Sequence, residues 1–413
     1  MDTLKVRDAA DVGQVVRAAL ASEQPLEIIG HGTKRAIGQP MVTNALLDLS
    51  ALNAVVAYEP NELIITVQAG APMADVLSLI DSKNQQFAFE PVDTSALLGT
   101  PANRGTIGGM IGAGLAGPRR VKAGGVRDHL LGAHAVSGFG DSFKTGGRVV
   151  KNVTGYDLCK LLAGSWGTLA VMTEVTLKVM PRAESERTLV LRGLDDVTAN
   201  TAMTAALGSP YDVSGAAHLP VSALHPAGGA LADLGSPRQP LTLLRLEGIT
   251  ASANDRAASL AVALGRFGAS DIVEDGVSAA LWNSIRDVAP FAAHGALGAW
   301  PVWRILAPPA SGGAFGQALA RETGGDVIYD WGGGLIWAAL PPSADARATL
   351  LRQRAAAIGG HATLIRAAEP LRRTVDVFHP LDGGVAALGE RVRQSFDPKH
   401  ILNRGRLARG FNA

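Results

Sequence analysis

The chain has 413 residues, a formal net charge of +1, and 18% charged against 47% hydrophobic residues. This length exceeds what one ordinary hydrophobic core supports, so we expect two or three domains. The composition excludes a disordered chain, and the small net charge argues against a nucleic-acid-binding protein. The single cysteine, Cys159, forms no internal disulfide and cannot alone hold an iron–sulfur cluster or zinc.

No targeting or membrane-spanning segment is predicted. The first residues have no apolar run of the kind found in signal peptides. No other stretch approaches the about 18 consecutive apolar residues that a spanning helix needs. We therefore expect a cytoplasmic protein without a transmembrane segment, and peripheral attachment to the inner face of the membrane through partners stays open.

Short strands and helices alternate up to Pro181. Helices are predicted at residues 11–20 and after Pro72, and strands at 26–29, 45–49, 55–58 and 63–69. A glycine-rich, loop-like run covers 105–117, and a β pattern with a turn at 138–141 covers 130–150. A last strand ends near Met180.

From Arg182 the pattern changes to short strands between alanine-rich helices. Strands are predicted at 189–191, 241–246, 302–306, 327–329 and 335–339, and helices at 197–207, 253–267, 314–322 and 344–358. This order predicts an antiparallel sheet covered by helices on one side. A final helix is predicted at 385–394.

The first glycine turn, Gly30-His31-Gly32-Thr33-Lys34, follows a predicted strand. Successive backbone N–H groups in such a turn form a nest for a phosphate oxygen, and Thr33 and Lys34 add a hydroxyl and a charge. A plain tight turn is the alternative interpretation. His31 is interpreted as a turn residue rather than as a base or a flavin-linking residue.

The second glycine-rich run contains G-x-G-x-x-G between Gly112 and Gly117. In a nicotinamide-binding fold this motif follows a strand and precedes an acid about 20 residues later. No strand pattern precedes it here, and Gly132 stands where the acid belongs, so we reject that interpretation.

The most informative segment runs from Gly146 to Leu169. It surrounds a short helical pattern at Leu158–Leu162 with glycines and hydroxyl residues, and an alternating strand follows. Glycine lets the backbone approach a ligand closely and present free N–H groups. The segment is typical of a surface that binds a flat, anionic cofactor.

These motifs occur in a characteristic order: G-x-G-T, T-I-G-G, N-x-x-G-Y-D-L, G-S-x-G-T-L and F-D-P…I-L-N. In that order the chain resembles the vanillyl-alcohol-oxidase or PCMH-type family of FAD-binding proteins. The resemblance implies an α+β fold with a two-subdomain PCMH-type FAD-binding domain at 1–181. It implies an α+β cap domain with an antiparallel sheet at 182–375, and a C-terminal segment at 376–413 that returns to the FAD domain.

The resemblance also implies the cofactor and its contacts. Members that bind FAD through two covalent bonds have a histidine after the second glycine of the first turn, where Thr33 stands here, so non-covalent FAD is expected. The implied FAD-binding residues are Gly30, His31, Gly32, Thr33 and Lys34 at the pyrophosphate; Gly108, Gly109 and Met110 along the pyrophosphate and ribityl chain; Gly155, Tyr156, Asp157, Gly164 and Thr168 at the adenosine side and ring edge; and Asn403 in the tail.

Within that family the sequence is similar to the smaller FAD-binding subunits of bacterial glycolate oxidase complexes. The similarity rests on V-V-K-N-V-T-G-Y-D-L-C-K-L-L, Trp303-Arg304 and D-W-G-G at 330–333. It implies a larger FAD-binding subunit and an iron–sulfur subunit as partners, and the oxidation of glycolate to glyoxylate. The histidine cluster H-x-G-D-G-N-x-H of catalytically complete relatives is missing, so no catalytic base and no metal site are predicted.

Three functional hypotheses stay open. In the first, the chain is an FAD-binding subunit that is accessory to catalysis in such a complex. In the second, it is a self-sufficient FAD-dependent dehydrogenase of a D-2-hydroxy acid, glycolate or D-lactate, with Arg304 or Arg286 holding the carboxylate. In the third, it is a structural subunit with a non-catalytic flavin.

Overall fold

The computed structural model describes residues 2–147, 156–224, 229–234 and 238–409. Its first strands form a parallel sheet in the order β1-β3-β2, covered by the first helix. Val12 and Val16 of that helix pack against Leu47 of the sheet. The elements are β1 (Asp2–Lys5), α1 (Ala9–Ser22), β2 (Leu26–Ile29) and β3 (Ala45–Asp48).

An antiparallel sheet follows in the order β4-β5-β9-β7-β8. Its strands are β4 (Val55–Glu59), β5 (Ile64–Gln68), β7 (Leu130–Ser137), β8 (Ser142–Gly146) and β9 (Ala170–Lys178), and a small pair joins β6 (Gln85–Gln86) to β10 (Met180–Pro181). The helices of this region are α2 (Met73–Asp81), α3 (Ser95–Leu98), α4 (Ile107–Ala113), α5 (Arg120–Ala123), α6 (Val126–His129) and α7 (Cys159–Leu162), with a 3₁₀ turn at Pro60–Glu62.

The glycine-rich run that we expected to be loop-like contains helix α4. Ile107, Met110 and Ile111 share one face of it and are buried, which is the spacing of an amphipathic helix. The side-chain oxygen of Thr106 caps its N-terminus. Gly112 lies inside α4 and does not follow a strand, which agrees with rejecting the nicotinamide motif.

Eight strands of the described second half form one antiparallel sheet, in the order β14-β11-β13-β12-β16-β17-β15-β18. The expected strands are present, and three that the sequence pattern did not reveal, β12, β14 and β18, complete the sheet. The bounds are β11 (Ser185–Arg192), β12 (Gly215–Leu219), β13 (Leu241–Gly248), β14 (Ser270–Glu274), β15 (Val302–Leu306), β16 (Asp326–Asp330), β17 (Leu335–Ala339) and β18 (His361–Arg366).

Helices cover both faces of this sheet, which corrects the expectation of one covered side. Four of them (α8, α11, α13 and α14) pack on one face, whereas α9, α10 and α12 pack on the other together with Ile37, Leu97 and Ala116 of the first half. The helices are α8 (Asp196–Leu207), α9 (Val221–Leu224), α10 (Gly229–Leu234), α11 (Thr250–Ala263), α12 (Asp275–Arg286), α13 (Pro309–Thr323), α14 (Ala348–Ala356), α15 (Glu369–Thr374) and α16 (Gly383–Phe396), with 3₁₀ turns at Gly265–Phe267, Ala289–Phe291 and Trp331–Gly333.

A buried layer of charges joins the second sheet to the first half. Arg245 on β13 is 1% exposed and donates to both carboxylate oxygens of Glu90 at 2.8 Å. Arg119 forms a second pair with Glu247 at 2.7 Å, and Ser214 donates to the same carboxylate at 2.5 Å. Guanidinium groups that meet carboxylates in this paired geometry form strong, directional contacts. The layer therefore fixes one half of the chain against the other.

The C-terminal segment returns to the first half through a buried carboxylate. Asp397 follows α16 and accepts the backbone N–H groups of Ile401 and Leu402 at 3.0 and 2.8 Å. Leu402 then pairs with Leu26 beside β2. The tail thus reaches the first parallel sheet. None of the helices in the described ranges is long and apolar enough to cross a membrane.

Replacing Arg245 tests the buried charge layer. We expect Arg245→Met to lower the free energy of unfolding by about 3–5 kcal/mol, because Glu90 is left buried without its main counter-ion. The matched control is Arg373→Ala, which removes an exposed pair with Glu369 and should cost less than about 1 kcal/mol. Chemical denaturation of both variants measures the difference. Equal losses would show that the layer does not hold the two halves together.

The same layer predicts a dependence of stability on pH. Burial alone would raise the pKa of Glu247, but the charges of Arg245 and Arg119 outweigh it and lower the pKa to about 2. The folded pKa is below the unfolded one, so the stabilisation is complete above about pH 4.5 and disappears as the pH falls toward 2. The unfolding free energy of the wild type should exceed that of Glu247→Gln near neutral pH, and the gap should close in acid. A gap that does not change with pH would contradict this assignment.

Candidate functional site

A cavity that is partly open to solvent lies where the end of β2, helix α4, strand β9 and the tail meet. The walls combine a polar loop with small and apolar residues. The lining includes residues 27–35, Leu49, Ala69, Thr106, Gly108, Gly109, Gly112, Ala113, Trp166, Gly167, Ala170, Val171, Met172, Asn403 and Arg406.

The glycine turn after β2 forms one wall and packs closely on the start of α4. A Cβ atom on Gly30 would lie 2.5 Å from the hydroxyl oxygen of Thr106, so only glycine allows this approach. The Nδ1 atom of His31 lies 2.9 Å from the backbone oxygen of Arg104, which ties the turn to the loop before α4. The two glycine-rich segments, about 75 residues apart in the chain, therefore share one surface.

Helix α4 presents an almost bare backbone to the cavity. The backbone N–H of Gly109 donates to the hydroxyl oxygen of Thr106 at 3.2 Å, and that of Gly108 donates to the carbonyl of Ala69 at 2.7 Å. A Cβ atom on Gly112 would meet nothing within 4 Å, so this glycine borders open space. A ligand can therefore approach the helix backbone here without meeting a side chain.

Positive charge is concentrated on the other side of the cavity. Arg35 pairs with Glu27 at 2.6 Å, whereas Lys34 has no carboxylate at ion-pair distance among the residues that the structure describes. Burial lowers the pKa of Lys34, and the charge of Asp93 offsets this only in part. Burial also lowers the pKa of Arg406 to about 10. The charged groups leave a positive excess, which suits a phosphate-containing ligand.

The tail completes the cavity through Asn403 and Arg406. The side chain of Asn403 accepts the N–H of Ile28 and donates to the carbonyl of Trp166, both at 2.7 Å. Arg406 donates to the carbonyl of Lys34 at 2.6 Å, and its guanidinium lies 5.5 Å from the ring centre of Trp166. Asn403 thus connects β2 to the loop before β9, and Arg406 connects the glycine turn to Trp166.

The structure brings together many, but not all, of the residues that we expected to bind FAD. Asn403 and the residues of both glycine segments, except Met110, line the cavity: Gly30, His31, Gly32, Thr33, Lys34, Gly108 and Gly109. Their role in binding FAD stays a prediction.

The position of Met110 differs from the expectation that it lies along the pyrophosphate and ribityl chain. Its side chain is 3% exposed and lies in the hydrophobic core, because α4 turns it toward the antiparallel sheet. It therefore does not line the cavity.

The residues assigned to the adenosine side and ring edge are not among those that line the cavity. Tyr156 is 93% exposed and Asp157 is exposed as well. The buried hydroxyl of Thr168 donates to the carbonyl of Ser165 at 2.7 Å, and the N–H of Gly164 donates to Ile111. Both residues therefore shape the turn around Trp166. Gly155 lies outside the described residues.

Several residues of the cavity were not assigned to it from the sequence. Thr106 has a detectable signal, because a threonine that precedes an apolar helical pattern is a favoured N-cap. Arg406 stands three residues after Asn403 in the run N-R-G-R, yet nothing in that run shows that its side chain turns back to the glycine loop. Trp166 and Gly112 likewise acquire their positions only when the loops pack together.

The residues present fit FAD. Gly109 and Gly112 leave a smooth wall for a long, narrow ligand. The Nε atom of Arg406 is buried and has no hydrogen-bond acceptor in the described part of the chain. The guanidinium has an ion-pair contact with Glu27 at 3.9 Å, but the Nε donor still lacks an acceptor, so a phosphate or carbonyl oxygen of a ligand suits this position.

Comparison with known proteins agrees with this fit. Residues 3–146 match the family described as an FAD binding domain. The chain is 30% identical to glycolate oxidase subunit GlcE of Escherichia coli (strain K12) over 394 residues, which cover 95% of each chain.

The chain belongs to the GlcE family of glycolate oxidase subunits. It is thus an FAD-linked oxidoreductase of the PCMH type, and FAD is its cofactor.

Two further similarities cover different parts of the chain. Glycolate oxidase subunit GlcD of Bacillus subtilis (strain 168) is 31% identical over 185 residues, which are 45% of this chain and 38% of that one. The structure of p-cresol methylhydroxylase with substrate bound superimposes with a TM-score of 0.70 at 13% identity, covering 100% of this chain and 89% of that one. The latter likeness establishes the fold alone.

A substitution that adds a side chain to the glycine surface of α4 tests whether FAD binds in the cavity. We expect Gly112→Val to weaken FAD binding by roughly tenfold or more while leaving the fold intact, because the new side chain occupies space that a ligand needs. The matched control is Gly389→Val, since Gly389 is another helical glycine whose Cβ would meet nothing within 4 Å. Fluorescence titration of the apoprotein with FAD measures the affinity, and thermal melting checks the fold. Unchanged affinity in Gly112→Val would place FAD elsewhere.

Proposed function

We propose that this chain is the FAD-binding subunit of a glycolate oxidase complex, which oxidises the 2-hydroxy acid glycolate to glyoxylate. The observation that carries the proposal is the similarity to GlcE over nearly the whole of both chains. A cationic cavity with glycine walls, formed by segments from both ends of the chain, supports it. The proposal includes the expected division of the chain at 1–181, 182–375 and 376–413.

The chain's own residues would hold and orient the cofactor. The backbone of 30–34 and the charges of Lys34 and Arg406 would bind the pyrophosphate, and Gly108, Gly109 and Gly112 would let the ligand lie against α4. Trp166 and Asn403 would close the cavity from the tail side and restrict water. FAD, when bound, supplies the acceptor for the two electrons that leave the hydroxy acid.

Electrons would then leave through partner subunits. Cys159 is the single cysteine of the chain and is buried, and burial raises its pKa, so it is a structural thiol. We therefore propose an iron–sulfur subunit as the next acceptor and a larger FAD-binding subunit, similar to GlcD, as the second partner. The assembly would work in the cytoplasm, and contact with the inner membrane face would come through these partners.

Anaerobic visible spectra test the proposed reaction. We expect glycolate to bleach the flavin absorption of the assembly purified with its partners, and acetate, which has no hydroxyl group to oxidise, to leave it unchanged. The chain purified alone serves as a comparison. If glycolate bleaches the flavin absorption of the isolated chain, the chain carries out its own half-reaction. If that absorption persists, the chain is accessory to its larger partner. If glycolate leaves the flavin of the whole assembly oxidised, the proposed function is wrong.

A further inference from the structure

Two guanidinium groups lie over the ring of Trp331. The Cζ atom of Arg120 is 4.9 Å from the ring centre, and that of Arg304 is 5.2 Å from it. Within the described ranges neither guanidinium forms a hydrogen bond or an ion pair. Their neighbours behave differently: Arg119 pairs with Glu247, and Arg286 holds Asp287 through two bonds of 2.9 and 2.6 Å.

This contrast distinguishes Arg304 from Arg286, the two arginines that the sequence analysis considered for binding a substrate carboxylate. Arg286 already has a carboxylate partner and therefore has little to offer a ligand. Arg304 keeps its five N–H donors without a protein acceptor in the described part of the molecule. Partly buried arginines are normally paired, because the cost of removing the charge from water must be offset.

Arg304 also has a suitable position in the fold. It lies on β15 between Val302 and Leu306, on the face of the second sheet that packs against Ile37 and Leu97 of the first half. Its cross-strand neighbour on this face is Trp337. Trp166, which lines the FAD cavity, packs against the same hydrophobic cluster as Trp331. The unpaired guanidinium thus faces the half of the chain that carries the cofactor cavity.

Trp331 has a strained backbone conformation that its hydrogen bonds hold in place. Its φ is +53°, in the left-handed region that aromatic residues rarely adopt. The carboxylate of Asp330 accepts its backbone N–H at 2.7 Å, and its ring N–H donates to the carbonyl of Gly117 at 3.0 Å. Such strain persists where the surroundings impose it and is concentrated at ligand sites. The ring is therefore a fixed platform beside the two guanidinium groups.

Asp330 cancels this positive charge only in part near neutral pH. Burial raises its pKa to about 7, and the charge of Glu90 adds to the rise, while the Trp331 N–H and the charges of Arg245 and Arg304 oppose it. Burial and the charge of Arg120 lower the pKa of Arg304 to about 10, so its guanidinium is still charged at neutral pH. A negative ligand would relieve the repulsion between the two arginines.

We propose that Arg304 and Arg120, arranged around Trp331, form the binding site for the carboxylate of a small 2-hydroxy acid. Arg304 provides the main contact because it is partly buried, and Arg120, which is exposed, assists from the surface. The assignment of the ligand as a hydroxy acid rests on the proposed function, whereas the binding of a carboxylate does not.

Isothermal titration calorimetry of the FAD-loaded full chain with oxalate tests the site. Oxalate has no C–H bond, so it binds without being oxidised. We expect Arg304→Gln to weaken its binding at least roughly tenfold, the size of the loss of a hydrogen-bonded charge pair, and Arg120→Gln to weaken it less. Arg304→Lys keeps the charge and should recover part of the affinity. The control is Arg321→Gln, an exposed arginine on α13, which should bind oxalate as the wild type does.

The outcomes distinguish this proposal from the proposed function. If oxalate fails to bind the wild type, or binds Arg304→Gln with wild-type affinity while FAD content and melting temperature are preserved, the site is wrong. If glycolate reduces the flavin of the assembly but Arg304→Gln keeps both its oxalate affinity and its KM for glycolate, the reaction stands and this site does not. Oxalate binding that depends on Arg304, without reduction by glycolate, retains the carboxylate site and refutes the reaction.

Discussion

The buried charge layer between Glu90 and Arg245 is the contact on which the arrangement of the two halves depends. Glu90 lies before α4. Arg245 lies 155 residues later in the chain, on β13 of the large sheet. Buried ion pairs add little net stability compared with apolar contacts, but they are demanding in geometry. The layer therefore fixes the position of one half of the chain relative to the other. It holds the sheet that carries Trp331 and Arg304 against the half of the chain that contains the cavity.

The cavity itself is a product of long-range assembly. The first glycine turn, helix α4, the loop around Trp166 and the tail each supply one wall. Asn403 joins two of these walls with three hydrogen bonds to the backbone of Leu26, Ile28 and Trp166. Since the tail is anchored by Asp397, the last part of the chain shapes a site that begins at residue 27. A C-terminal segment is thus as much a part of the cavity as the glycine motifs.

The predictions from local pattern succeeded where a short-range signal is strong. The spacing of Val12 and Val16 predicted α1, and the short apolar runs in β11, β13, β15, β16 and β17 predicted strands in the large sheet. The pattern failed at β12, because Gly215–Leu219 contains glycine, two alanines and a histidine and so has no run of large apolar residues. It also failed at α4, where glycine density concealed the spacing of Ile107, Met110 and Ile111.

The sequence by itself determined the family, the cofactor and the glycine-lined surface, because order of motifs and backbone freedom are local properties of the chain. It could not decide between Arg286 and Arg304, since the pairing of an arginine depends on which carboxylate folding brings beside it. Nor could it predict that the side chain of Met110 points into the core and that of Arg406 into the cavity, because side-chain direction follows from packing. Only the tertiary structure placed beside one tryptophan two guanidinium groups that have no hydrogen-bond acceptor among the described residues.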